Sequence, residues 1–163
     1  MSTRVYVPVT AARLREVVTS DGVGPAPFLA FAVTDRLRTA WADASEEEWE
    51  YAASATAAQA SLGLLTDADP PRRLVLALDV GTVTPVEGDD PTVVEVEQVV
   101  PFRRVAAVLA DAEDAQDTVT AAREAWAAAE AGDADAEATV ERCLDHELGW
   151  WATQEIGDLL DVL

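Results

Sequence analysis

The order in which short strand-like runs alternate with helical patterns constrains this chain most. Five runs carry the strand signal: residues 4–9, 28–33, 74–80, 92–100 and 105–110. In the first, Val5, Val7 and Val9 alternate with Tyr6 and Pro8, the two-residue period of a strand. Pro8 has no N–H to give a ladder, which predicts an edge or a bulge. The run 74–80 is apolar on both faces and predicts a central strand. Val94 and Val96 alternate with Glu95 and Glu97, predicting one wet face. The run 105–110 reads as a strand or as the start of a helix, since it is too short for periodicity to decide.

Helical patterns fill the intervals. Thr10 and Thr34 stand as N-caps of two short helices. Ser45-Glu46-Glu47-Glu48 matches a capping box, in which the Ser side chain and the third-following Glu each satisfy an orphan backbone donor. It opens a long helix, to about residue 65, with Trp49, Ala53, Ala57, Ala60 and Leu64 along one stripe. Residues 114–131 predict another helix, and 134–163 are helical again, interrupted at Gly149 and Gly157 and hinged near Asp145. The order β-α-β-α-α-β-β-β-α-α predicts an α+β fold. It implies a mostly antiparallel sheet of about five strands, helices packed on one side and a helical C-terminus. One domain spanning residues 1–163 is the expectation for this length.

Charge then excludes function classes. Eleven basic residues, all Arg, face thirty-one acids, for a net charge of −20. Residues 1–80 carry seven Arg and eleven acids, net −4; residues 81–163 carry four Arg and twenty acids, net −16. Direct gripping of nucleic-acid phosphate is not expected from such a surface. Nor is binding to anionic lipid. With half of the residues hydrophobic, the chain is too apolar for a disordered acidic tail. The single cysteine, Cys143, and the lack of a signal-like start predict a reducing, cytoplasmic setting. The uncharged stretch 51–66 is too poor in large apolar residues to span a membrane. Arg without Lys, with Ala and Val far above Ile, fits a GC-rich genome or a salt-adapted surface.

Catalytic motifs are absent from the sequence. The sequence contains no phosphate-binding glycine loop and no nucleophile elbow. The one histidine, His146, leaves little for a triad. No cofactor and no metal is expected. His146-Glu147 matches the start of a zincin motif, but position 150 is Trp where the second His belongs. Residues 145–155 are still the most informative stretch. On a helix, His146 and Trp150 would share one face, and Glu147, Trp151 and Glu155 the next. Asp145, His146, Glu147, Trp150, Trp151 and Glu155 are therefore the candidate residues for holding a ligand or a partner. The plainer reading makes them a packing segment, with the Trp rings in the core. The pairs Arg72-Arg73 and Arg103-Arg104 flank strands; the plainer reading pairs them with nearby acids rather than with an exogenous anion.

Three segments, Arg4-Val5-Tyr6-Val7-Pro8, Glu48-Trp49-Glu50-Tyr51-Ala52-Ala53 and the stretch from His146 to Ile156, together resemble a family of small uncharacterised actinobacterial proteins. The resemblance spans nearly the whole chain. It implies no activity, so no catalytic residue is carried over. Three functions fit these observations. The leading one is a non-enzymatic binding or regulatory protein meeting a basic partner through its acidic C-terminal half, with DNA mimicry as a sharper version. The alternative is a small-ligand binder or enzyme centred on His146. The third is a structural subunit that dimerises through a helix.

Overall fold

A computed structural model describes residues 2–163. Nine strands form among the described residues: β1 Thr3–Val9, β2 Gly22–Val23, β3 Phe28–Ala32, β4 Leu74–Val80, β5 Thr84–Pro85, β6 Val93–Val96, β7 Val100–Pro101, β8 Val105–Ala110 and β9 Gly149–Ala152. Six α-helices accompany them: α1 Ala11–Ser20, α2 Asp35–Ala40, α3 Glu46–Ser61, α4 Gln116–Glu130, α5 Ala134–Glu141 and α6 Ile156–Asp161. The main sheet has seven strands in the order β5-β6-β3-β1-β4-β8-β9, and β2 pairs with β7 in a separate ribbon. Every pairing is antiparallel. The α+β class therefore holds, with more strands than the five expected. The additional strands are two to four residues long, too short to show a period.

Local signals account for the confirmed elements. Thr10 caps α1 by accepting from the Arg13 N–H at 3.2 Å. The capping box of α3 is complete: Glu48 N–H donates to Ser45 Oγ at 3.3 Å, and Ser45 N–H to Glu48 Oε2 at 2.7 Å. β4 is interior, between β1 and β8, and buried along nearly its whole length. Val94 and Val96 are buried while Glu95 is half-buried, as their alternation predicts. Pro8 departs from expectation. It stands opposite Val75 inside the β1–β4 ladder, although the β1–β3 ladder has already ended at Tyr6 and Phe31. The unpaired β3 side leaves room for a missing donor there.

Helices cover both faces of the sheet, which corrects the one-sided arrangement. Val5, Val7 and Val9 of β1 and Leu74, Leu76 and Leu78 of β4 share a core with Leu14 and Val17 of α1 and with Ile156 and Leu159 of α6. The intervening residues Tyr6, Val75 and Ala77 face the other way and pack with Ala53, Ala57 and Ala58 of α3. Alternation of strand side chains distributes the two sets. Nearly every strand residue is apolar on both sides, as a sheet covered twice requires. A third cluster joins Leu62 and Leu65 to Val119 and Ala122 of α4, Val140 of α5 and Cys143. α3 passes into a 3-10 turn at Leu62–Leu64. The turn directs Leu62 and Leu65 inward and leaves Leu64 exposed, against the predicted stripe. Gly63 sits so close to Trp126 that a Cβ there would lie 2.6 Å from the indole nitrogen.

The C-terminal segment is the largest correction. Residues 134–163 are not helical throughout. After α5 the chain makes a 3-10 turn at Arg142–Asp145, forms β9 against β8, turns again at Thr153–Glu155 and closes with α6. Glycine followed by two bulky aromatics suits an extended edge strand better than a helix. Among the described residues no helix is long and apolar enough to cross a membrane.

Candidate functional site

Because β9 is a strand, Trp150 and Trp151 point to opposite faces. Trp151 stands opposite Val108 and packs on the α1/α6 core. Trp150 stands opposite Leu109 on the α3 face and is 56 % exposed. This replaces the predicted helical facing of His146 with Trp150, and of Glu147 with Trp151 and Glu155. His146, Glu147 and Trp150 nevertheless come together, with Leu148, along one wall of a cleft of about 320 Å³. The other wall is the middle of α3, with Glu50, Tyr51 and Ser54; Tyr6 also lines the cleft. Asp145 is exposed and does not line the cleft. Glu155 instead accepts from the Ala152 N–H at 2.7 Å and closes the turn into α6.

A buried polar knot holds this wall in place. Arg73 is 1 % exposed. Its Nε and Nη2 donate to the two carboxylate oxygens of Asp111, both at 2.8 Å. Its Nη1 donates to Gln59 Oε1 at 3.1 Å, and Nη2 also donates to the His146 carbonyl at 2.9 Å. The Arg73 N–H gives Asp111 a further bond at 2.8 Å, and Asp111 N–H returns one to the Arg73 carbonyl at 3.1 Å. A buried ion pair is tolerated when its donors and acceptors find partners in this way. The knot ties together the start of β4, the residue after β8, helix α3 and the segment carrying His146. Of the two arginine pairs, Arg73 thus meets the acid that the plainer reading expects.

The His146 ring is tethered as well: Nε2 lies 3.2 Å from Thr118 Oγ1 on α4. Beneath it, Cys143 is buried, and burial pushes its thiol pKa up. That makes it a packing side chain rather than a nucleophile. Tyr6 donates its hydroxyl to Glu50 Oε2 at 2.7 Å. Burial, and then the bond to Glu50, raise the Tyr6 pKa well above its usual value of 10.0. Tyr6 therefore stays a neutral donor at physiological pH and anchors the Glu50 side chain. Among the described residues, no three His, Cys, Asp or Glu side chains converge as a metal site.

The cleft therefore combines carboxylates at Glu50 and Glu147 with the rings of Tyr6, Tyr51 and Trp150 and the apolar Leu109, Leu144 and Leu148. Tyr51 is 55 % and Leu144 49 % exposed, so apolar surface lies open at the rim. The one arginine that lines it, Arg73, already has its charge matched by Asp111. Sequence reasoning missed Tyr6, Glu50 and Tyr51 as cleft residues, and it singled out Arg73 only as one of a pair flanking a strand. Glu50 and Tyr51 stand beside the capping box, which explains the acids there well enough to hide a second role. Tyr6 carried a usable signal, being the one aromatic on the opposite face of a valine strand.

No curated protein and no solved structure matches this chain. A family model described as a family of unknown function, DUF6912, matches residues 3–160, in accord with the resemblance to an uncharacterised family. The chain belongs to this family.

Proposed function

We propose that the protein is a binding protein whose cleft takes the cationic side chain, arginine or lysine, of a basic partner. The observation that carries this reading is the pairing of Glu50 and Glu147 with the exposed rings of Tyr51 and Trp150 around one cleft. A guanidinium or ammonium group on an apolar stem meets carboxylates at its head and aromatic faces along its stem. The net charge of −20 adds long-range attraction for a basic partner. The reading takes the setting as cytoplasmic, on the single buried cysteine. It concerns recognition, and no chemical step is assigned to the site.

A small organic amine is the second occupant that the cleft favours, since about 320 Å³ falls within the range of small-ligand pockets. Calorimetric titration with an arginine-containing tripeptide, its citrulline counterpart and free amines at low and high salt tests both. Saturable binding of the arginine peptide, weakened by salt and absent with citrulline, supports the reading. Equal binding of the citrulline peptide contradicts it.

A further inference from the structure

A second cleft, of about 310 Å³, opens at the end of β4 beside the β2–β7 ribbon. Its polar lining includes Arg103, Arg104, Gln98 and Thr82, and its apolar lining is valine and proline from β4, β6 and β7, with Val99 between the last two. Six of the eleven arginines make no ion pair among the described residues, and Arg103 and Arg104 are two of these, side by side in the lining of one cleft. Arg103 and Arg104 are both exposed, and among the described residues neither makes an ion pair. The carboxylate in the same cleft, Asp79, is already engaged: Arg4 Nε and Nη2 donate to its two oxygens at 2.8 and 3.3 Å. Its negative charge is thereby largely offset locally.

The two guanidinium groups are mounted on a fixed support. They lie on the 3-10 turn Phe102–Arg104, directly after β7. Pairing of Val100 with Val23 and of Pro101 with Gly22 holds the base of that turn. Phe102 N–H donates to the Asp21 carbonyl at 3.0 Å, and the Phe102 ring packs on the main core. A rigid mount lowers the ordering cost of binding. Adjacent guanidinium forks above an apolar floor suit an oxyanion carried on a short apolar body.

We infer that this cleft is a binding site for a small organic oxyanion, its charged head held by Arg103 and Arg104 and its apolar body on the valine floor. The site is separate from the first cleft, so its success or failure leaves the cation-binding reading untouched. The test is NMR titration of the labelled protein with phenyl phosphate, inorganic phosphate and benzyl alcohol, read on the backbone amides of Val99 and Val100 and on the Gln98 side-chain amide. Phenyl phosphate is expected to give saturable shifts there, inorganic phosphate weaker ones and benzyl alcohol none. Arg103→Gln and Arg104→Gln are each expected to weaken phenyl phosphate about tenfold. Both side chains are exposed, so an unchanged amide spectrum verifies that the variants are folded. Absence of saturation by phenyl phosphate, equal shifts with benzyl alcohol, or undiminished binding by the double variant overturns the inference.

Discussion

On one face of the main sheet, α1 and α6 press Leu14, Val17, Ile156 and Leu159 into the valines and leucines of β1 and β4. On the other, α3 offers only Ala53, Ala57 and Ala58 to Tyr6, Val75 and Ala77. Branched side chains fill the first interface and close it. Alanines let a helix come near the second, and α3 lies over β1, β3 and β4. The β8–β9 end of that face is left to loop residues, and the cleft opens there. The closed face supplies dry packing, whereas the open face combines a tight helix contact with exposed aromatic and acidic side chains. Under the proposed reading, stability and recognition fall to different sides of one sheet, with the Arg73–Asp111 knot bracing the open side through Gln59 and the His146 carbonyl.

Breaking the knot gives the largest effect. Asp111→Ala strands a buried guanidinium, and a loss of about 3–5 kcal/mol is expected in urea unfolding; a loss below about 1 kcal/mol would show that the pair does not support the cleft wall. Next, Leu14→Ala on the closed face is expected to cost about 2–4 kcal/mol, through lost transfer energy and the cavity left behind. The open face should respond to the opposite change. Ala57→Leu is expected to cost about 1–3 kcal/mol by overpacking against the sheet, and neutrality there would mean that α3 is not held close. The smallest effect belongs to the cleft rim. Trp150→Ala is expected to shift stability by no more than about 0.5 kcal/mol, as surface changes do, while abolishing cation binding.

Tyr6 gives the comparison a pH axis. Its folded-state pKa is raised above the usual value of 10.0, so the folded protein keeps a proton that the unfolded chain gives up above about pH 10. The stability from this group is complete below that pH and declines as pH rises toward the folded pKa. Tyr6→Phe should remove this alkaline decline in denaturant titrations between pH 9 and 12. An unchanged slope would mean that Tyr6 is not held as a neutral donor.

The sequence made the closed face legible and the open one only in part. Val5, Val7 and Val9, and the two-sided apolarity of β4, announced their burial by period alone. The capping box located α3 because the signal lies in four adjacent residues. β9 was not legible, because four residues carry no period and its partner β8 lies about forty residues upstream. Its misassignment also put Glu155 on one helical face with Trp151, whereas Glu155 closes a turn; Trp151 packs on the core, as the plainer reading expects. Glu50, Tyr51 and Tyr6 reach the cleft through long-range packing, so no local spacing could place them beside His146.

The central claim is that the open face recognises a cation between Glu50, Glu147 and Trp150. Its most direct test is the Trp150 indole N–H signal, assigned through Trp150→Phe and followed in a nuclear magnetic resonance titration with an arginine-containing tripeptide. The expected result is a saturable shift of that signal, lost in Glu50→Gln/Glu147→Gln at unchanged fold. A Trp150 signal that stays still, or that moves equally for the citrulline peptide, would contradict the account.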